Sequence, residues 1–271
     1  MKLSDVINEQ WIDAKSLSFQ YSQAAPFPHI VIENFIKEDV LQRVTNEFPD
    51  LSKLKDSVIQ FHNNKEIKLA GKGMQVLSPA ALELNTYLQS DLMMNWLNDL
   101  TSIKEPLISD PYLSGGGYHE IKTGGLLKIH ADFNKHPKLD LDRRLNLLLY
   151  LNKDWKDEWG GALQLFDENM EKAIQTVYPR FNTAVIFTTT SYTFHGHPDP
   201  LNCPENRSRK SLAYYYFSTG RPQTEVSTEK HSTLFKERKG ESFKAVPNIK
   251  LILRDITPPI FIKAAKRLLR K

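Results

Sequence analysis

Short β-type runs separated by turn residues fill residues 106 to 220, and they constrain the fold more than any other feature of the sequence. The runs are YLSGGGYHEIK, LLKIHADF, LNLLLYLN, ALQLF, TAVIFTT and SLAYYYFST. Glycine, proline, aspartate and asparagine lie between them, as is usual at the ends of strands. Several short strands of this kind are typical of a β-sandwich or a β-barrel.

The residues before this stretch favour helices. A short β-rich run lies within 26–36, and 38–48 places its apolar residues on one face of a helix. A second helical region follows Ser78 and Pro79, which suit the cap and the first turn of a helix. Helices first and strands later predict an α+β fold, namely a double-stranded β-helix (jelly roll) with N-terminal helices packed on one sheet.

Length and composition indicate an ordinary globular protein. The chain has 271 residues, of which 40% are hydrophobic and 25% charged. We expect a single domain with a strand and helical support at 1–105, a β-helix core at 106–220 and a C-terminal extension at 221–271. The net charge of +4 comes from mixed acidic and basic residues, which does not indicate a nucleic-acid partner.

The chain also carries few signals of export or membrane insertion. Its one cysteine, Cys203, cannot form a disulfide within the chain, which fits a reducing compartment. The N-terminus lacks the apolar core of a signal peptide, and no run of about 18 apolar residues occurs. These features predict a cytoplasmic location.

A metal site is indicated by polar residues on the predicted strands. His130 and Asp132 are two apart in LLKIHADF, so their side chains leave the same face of a strand. The run SYTFHGHP offers a third ligand, His195 or His197. Two histidines and one carboxylate form the facial triad of non-heme Fe(II) oxygenases. The same ligands with water would also suit a zinc hydrolase.

An arginine next to the last strand argues for an oxygenase. Arg209 and Ser211 are two apart in RKSLAYYYFS and so share one face of a strand, and inside a barrel the guanidinium needs an anionic partner. Arg207 is a rival, but it lacks the R-x-S spacing. A small dicarboxylate that chelates the metal at one end and pairs with Arg209 at the other would fit, with the Ser211 hydroxyl as a further contact.

Residues 118 to 218 resemble the double-stranded β-helix core of the Fe(II)/2-oxoglutarate-dependent dioxygenases, in particular the prolyl 4-hydroxylase-like branch. The resemblance depends on H-A-D at 130, RRLNLLLYLNKDW, WGGALQLF, F-H-G-H-P and R-K-S-L-A-Y-Y-Y, in that order. It implies an enzyme that hydroxylates an unactivated C–H bond, with Fe(II), 2-oxoglutarate and O2 as cofactors and co-substrates. Ascorbate is a further cofactor that the family implies.

The resemblance also implies roles for individual residues. It implies that His130, Asp132 and His195 bind iron, and that Arg209 pairs with the far carboxylate of 2-oxoglutarate. Tyr150 matches a family position that donates a hydrogen bond to the same carboxylate.

Two further residues are candidates for cofactor binding, and several others are left open. Asn146 lies where relatives often carry a small polar residue, and Tyr118 is a candidate second tyrosine. We prefer His195 to His197 as the third metal ligand and expect His197 at the rim of the site. The remaining residues are expected at the surface, at the rim or in the wall of the substrate cleft: Arg143, Arg144, His119 and His136.

The substrate is less constrained than the chemistry. A prolyl residue in a protein or peptide is the preferred substrate, and a cell-envelope sugar, a lipid or another small molecule is the alternative. A cupin-like metal hydrolase or isomerase is an alternative class, against which the R-x-S pair argues. A non-catalytic binding module is another, against which the intact metal triad argues. Residues 221–248 read as loop and turn, and form a candidate lid or substrate platform.

The C-terminal tail, TPPIFIKAAKRLLRK, has the pattern of a basic amphipathic helix. Its apolar face at 257–271 would either dock on the N-terminal helices, which we favour, or make a peripheral contact with an anionic membrane.

Overall fold

Among the residues that the structure describes, the helices precede most of the strands. A computed structural model describes residues 1–228 and 230–243. Residues Met1–Gly240 form one compact unit, and all elements below lie within it. The helices are α1 (Ala14–Ser22), α2 (Glu38–Asn46), α3 (Pro79–Leu88) and α4 (Asp91–Thr101). The strands are β1 (His29–Glu33), β2 (Val58–His62), β3 (Glu66–Gly71), β4 (Ile108–Ser109), β5 (Gly117–Ile121), β6 (Leu126–Ala131), β7 (Asp142–Tyr150), β8 (Leu163–Phe166), β9 (Ala173–Val177), β10 (Thr183–Thr188), β11 (His195–His197), β12 (Arg209–Ser218) and β13 (Leu234–Phe235).

The strands form one continuous antiparallel sheet, in which neighbouring strands are mostly not consecutive in the sequence. Its order is β1-β10-β7-β12-β5-β3-β6-β11-β8-β9, with β2 beside β3, β4 beside β12 and β13 beside β6. Strand β3 pairs with both β5 and β6, so it joins the two halves of the jelly roll. This sheet and the N-terminal helices confirm the predicted α+β double-stranded β-helix.

Strand β7 shows how the sheet separates a helix-covered face from the interior of the jelly roll. Leu145, Leu147 and Leu149 are fully buried and pack in the main hydrophobic cluster with residues of the N-terminal helices. Asn146 and Leu148 point to the other face, where they line a cavity. Because successive side chains of a strand alternate between its faces, one strand supplies both the core and the cavity wall.

Helices α2 and α3 begin where the sequence predicts, but one predicted helical region is divided. The Ser78 hydroxyl accepts a hydrogen bond from the Ala81 backbone N–H and caps α3, whose first residue is Pro79. Ser90 caps a new helix in the same way, through the Met93 N–H. The region after residue 79 is therefore two helices, α3 and α4, rather than one.

The hairpin of β2 and β3 was not predicted from the sequence. Its turn is held by the Asn63 side chain, which accepts hydrogen bonds from the backbone N–H groups of Lys65 and Glu66. Most of β2 is exposed or half-buried, so the strand lacks the apolar alternation by which strands are recognised. Residues of this hairpin line the cavity at the jelly-roll interior.

The C-terminal extension is only partly described. Its short strand β13 pairs with β6, so the segment reaches the interior of the jelly roll. The helix predicted for 257–271 lies outside the described residues. Within the described ranges, the helices are too short or too polar to cross a bilayer.

Candidate active site

Three predicted metal ligands meet at strands β6 and β11. His130 and His195 are cross-strand neighbours, and Asp132 follows the last residue of β6. The Nε2 atom of His130 lies 3.7 Å from Asp132 Oδ1, and the Nε2 atom of His195 lies 3.4 Å from Asp132 Oδ2. One ligand atom from each residue lies within 4.8 Å of the others. The three side chains can therefore share one metal ion.

The two imidazole rings are oriented by the backbone. Nδ1 of His130 donates to the carbonyl of Lys128 at 2.8 Å, and Nδ1 of His195 donates to the carbonyl of Thr193 at 3.1 Å. A proton held on Nδ1 leaves the Nε2 lone pair for a metal, an arrangement found around histidine ligands. Burial lowers the pKa of the His195 imidazole to about 4, so the ring is neutral at neutral pH.

Asp132 has two polar neighbours on β7. Asn146 Nδ2 donates to Asp132 Oδ2 at 2.7 Å, and Arg143 Nη2 lies 3.1 Å from the same oxygen. Burial raises the pKa of Asp132, but the charges of Arg143 and His195 outweigh it and hold the pKa well below its usual range. The carboxylate is therefore ionised, as a metal ligand must be.

Arg143 was expected at the surface or the rim, and that expectation is wrong. It is 1% exposed, and its guanidinium lies 3.5 Å from the ring centroid of Tyr215 and 4.3 Å from that of Phe133. It packs there because β7 is buried on both faces. Arg144, on the opposite face, is also buried and donates to Glu105 at 2.8 Å.

Asn146 lies beside the metal ligands. Its side-chain oxygen accepts hydrogen bonds from Arg143 Nε at 3.1 Å and Nη2 at 2.6 Å. With its amide donated to Asp132, it links the arginine to the carboxylate. Its predicted contact with a cofactor stays a prediction, but its position makes it an orienting residue for Asp132.

Arg209 points into the interior of the jelly roll, where the sequence places it. It is 5% exposed, its Nε donates to the carbonyl of Gly161 at 2.8 Å, and its Nη2 donates to Tyr150 Oη at 3.1 Å. Burial lowers the pKa of Arg209, yet an arginine remains charged. Within the described ranges the guanidinium has no carboxylate partner. Ser211, on the same face of β12, lines the same cavity.

The prediction that Tyr118 binds a cofactor is wrong. Its ring packs at 4.4 Å from that of Phe48, in the cluster on the helix-covered face, and its hydroxyl lies 3.0 Å from Ser78 Oγ. The next residue of β5, His119, faces the cavity instead and bonds to the Gly115 carbonyl at 2.9 Å. Burial lowers the pKa of His119 to about 3.

The other two open histidines lie in different places. His197 was expected at the rim but is 3% exposed and lines the cavity, so that expectation is wrong. Burial, followed by the charge of Arg209, holds the pKa of His197 well below its usual range. His136 lies outside the cavity and bonds to Asp110 at 3.1 Å.

One cavity of about 210 Å³ joins these groups. The triad, Arg143, His197 and Arg209 all contribute to its wall. Phe235 of β13 closes part of it, with its ring 5.5 Å from that of His130. Phe235 thus brings the C-terminal extension to the site, while its use as a lid or platform stays a prediction.

The matching family model covers this part of the chain. Residues 116–217 match the model of the 2OG-Fe(II) oxygenase superfamily. This part of the chain is therefore similar to the 2OG-Fe(II) oxygenase superfamily.

Individual relatives are similar to larger parts of the chain. The chain is 24% identical to prolyl 3-hydroxylase OGFOD1 of Xenopus laevis over 73% of its length, and 27% identical to that of Mus musculus over 81%. The matches cover 37% and 39% of those two proteins, so the chain spans about two fifths of their length.

A solved structure shares the fold. It is a prolyl hydroxylase from Trichoplax adhaerens in complex with a peptide fragment of the hypoxia inducible factor oxygen degradation domain. The TM-score is 0.56 at 16% identity, with 78% of this chain and 91% of that chain covered.

The superfamily implies Fe(II) and 2-oxoglutarate, and the residues present fit both. Two imidazoles and one ionised carboxylate with converging ligand atoms suit Fe(II) and leave adjacent coordination positions open. The buried Arg209, with Tyr150 beside it, suits the far carboxylate of the co-substrate.

Proposed function

We propose that this 2OG-Fe(II) oxygenase hydroxylates a prolyl residue of a protein or peptide. The observation that carries the proposal is the buried Arg209 guanidinium, which lacks a carboxylate partner in the described chain and lines the same cavity as His130, Asp132 and His195. A buried charge without a counter-ion is costly, and a bound dicarboxylate would remove that cost. The chemistry of a metal hydrolase or isomerase does not require a buried arginine that is left to bind a dicarboxylate.

Each residue of the site has a defined part in this proposal. His130, Asp132 and His195 hold Fe(II), and their backbone and side-chain partners fix the direction of the ligand atoms. Arg209 and Tyr150 bind the far carboxylate of 2-oxoglutarate. A bound Fe(II) would activate O2, which is the oxidant: one oxygen atom would enter succinate as 2-oxoglutarate loses CO2, and the other would be inserted into a C–H bond of the proline. The buried walls of the cavity exclude bulk water.

Arg143 supports a peptide as the substrate. Its Nη1 atom is buried and has no hydrogen-bond partner in the described ranges. A backbone carbonyl of a bound peptide would accept a hydrogen bond from this group. Phe133 and Tyr215, which flank the guanidinium, add aromatic surface suited to a proline ring. The names of the two curated relatives and of the Trichoplax structure also favour prolyl substrates.

Turnover of 2-oxoglutarate to succinate, measured with a library of proline-containing peptides, tests the function. The wild-type protein with Fe(II) should form succinate and add one oxygen atom to a proline, and product analysis then distinguishes 3- from 4-hydroxyproline. Asp132→Ala and Arg209→Ala should abolish both products.

Arg207→Ala is the matched control, because it removes a nearby arginine outside the cavity and should leave turnover unchanged. Equal turnover in Asp132→Ala, Arg209→Ala and the wild type would contradict the proposal. Ascorbate is included in the proposal as a reductant that sustains turnover, and leaving it out should shorten the linear phase of succinate formation.

A further inference from the structure

His197 has a buried side chain for which the protein provides no partner. It lies on β11, two residues after His195 and opposite Leu127 of β6. His197 is 3% exposed, and neither of its ring nitrogens, Nδ1 and Nε2, has a hydrogen-bond partner within the described residues. The ring stands in the wall of the cavity that Arg209 and Ser211 also line.

Such a side chain destabilises the fold unless something binds it. A neutral imidazole offers one N–H donor and one acceptor nitrogen. A polar group of this kind that is buried and unpaired loses its hydrogen bonds to water without replacement, which lowers the stability of the fold. Valine or leucine would fill the same position at no such cost. Polar atoms that are unpaired in the protein and face a ligand cavity are therefore best explained by the ligand.

The metal ion is not that ligand. The metal-ligand atoms that converge in the described chain belong to His130, Asp132 and His195, and His197 is not part of this group. On β11, His195 lies opposite His130, whereas His197 lies farther along the strand, opposite Leu127. The ring therefore lies beyond the metal ligands, in the wall that it shares with Arg209 and Ser211.

We propose that His197 binds the far carboxylate of 2-oxoglutarate, to which it donates a ring N–H alongside Arg209 and Tyr150. This inference rests on the proposed function, since it assigns an additional residue to the co-substrate of that reaction. A hydrogen bond to a charged acceptor is stronger than one between neutral groups, so His197 contributes to co-substrate affinity.

Calorimetric titration of 2-oxoglutarate into the Mn(II)-loaded protein of 271 residues under anaerobic conditions tests the assignment. His197→Val should weaken 2-oxoglutarate binding by about tenfold or more, the effect of losing one hydrogen bond to a charged group. His197→Gln keeps an N–H donor and should recover part of the affinity. Mn(II) affinity should be the same in all three proteins. His62→Val, which changes an exposed histidine on β2, is the matched control and should bind 2-oxoglutarate like the wild type.

Thermal unfolding separates this role from a structural one. Without metal and co-substrate, His197→Val should melt at the wild-type temperature or higher, because it removes unpaired buried atoms. The rise in Tm on adding 2-oxoglutarate to the Mn(II)-loaded protein should be smaller than in the wild type.

Wild-type affinity in His197→Val would overturn the inference and leave the proposed function intact. The inference is also overturned if His197→Val lowers the affinity for Mn(II) and the Tm of the ligand-free protein along with the affinity for 2-oxoglutarate, because the substitution would then have damaged the fold. A wild-type protein that binds Mn(II) but no 2-oxoglutarate would instead refute the proposed function itself.

Discussion

The carbonyl oxygen of Gly161 accepts a 2.8 Å hydrogen bond from Nε of Arg209, and a Cβ atom on Gly161 would lie 3.0 Å from Cδ of the same arginine. Gly161 also has a φ of +72°, in the left-handed region that favours glycine. The glycine therefore sets both the direction and the space of the arginine side chain that we assign to the co-substrate.

Gly161→Ala should weaken 2-oxoglutarate binding by about tenfold, because its methyl group displaces the Arg209 guanidinium and misaligns a charge-assisted contact. Mn(II) binding should not change, since the triad lies on other strands. Titration of the Mn(II)-loaded protein measures both.

Gly160→Ala is the matched control for backbone strain. Gly160 has a φ of +73°, but a Cβ there meets only the Pro200 carbonyl oxygen, at 3.9 Å. Both variants should lose about 1 kcal/mol of stability from the strained backbone, whereas only Gly161→Ala should lose co-substrate affinity. Equal loss of affinity in both would mean that the loop, and not the contact with Arg209, matters.

Tyr150→Phe should lower 2-oxoglutarate affinity about fivefold, because it removes the hydroxyl that accepts from Arg209 Nη2 and so loosens the guanidinium. Tyr118→Phe makes the same chemical change on the opposite face of the sheet, where the hydroxyl meets Ser78. Its affinity should equal that of the wild type. A drop in Tyr118→Phe comparable to that in Tyr150→Phe would show that the sheet faces are assigned wrongly.

Asn146→Ala should weaken metal binding by roughly 10–100-fold, since outer partners of a ligating carboxylate typically contribute that much. The variant removes the 2.7 Å hydrogen bond to Asp132 and leaves Arg143 without its amide acceptor. Direct titration with Mn(II) gives the dissociation constant. Unchanged Mn(II) affinity would mean that Arg143 alone orients the carboxylate.

Lowering the pH should destabilise the metal-free protein through His119. Burial lowers its pKa from 6.5 to about 3, so between these values the unfolded chain binds a proton that the folded chain does not. The free energy of unfolding should therefore fall as the pH drops from about 6.5 towards 3, and be unaffected by this group above 6.5. Urea unfolding at several pH values should show a shallower slope for His119→Gln. Parallel slopes for the two proteins would contradict this.

The sequence predicted the parts of the site that depend on local spacing. The H-x-D and R-x-S pairs work because residues two apart share a strand face, and the structure brings His130, Asp132 and His195 together and buries Arg209. Ser78 and Pro79 likewise identified the start of α3, because capping is a local interaction.

The errors arose where burial or strand phase depends on distant residues. Arg143 and His197 were expected at the rim because charged and polar side chains usually lie there, whereas β7 and β11 are covered on both sides. Tyr118 was assigned to the wrong face of β5, where its neighbour His119 faces the cavity. In a strand, a shift of one residue moves a side chain to the opposite face. The β2–β3 hairpin was missed because its exposed strand carries no apolar alternation.

Anaerobic calorimetric titration of 2-oxoglutarate, with and without Mn(II), tests the central claim most directly. We predict binding that requires Mn(II) and disappears in Arg209→Ala, while Arg209→Ala still binds Mn(II). Absence of 2-oxoglutarate binding by folded, Mn(II)-loaded wild-type protein, or undiminished binding by Arg209→Ala, would contradict the claim that this cavity holds a metal-chelated dicarboxylate.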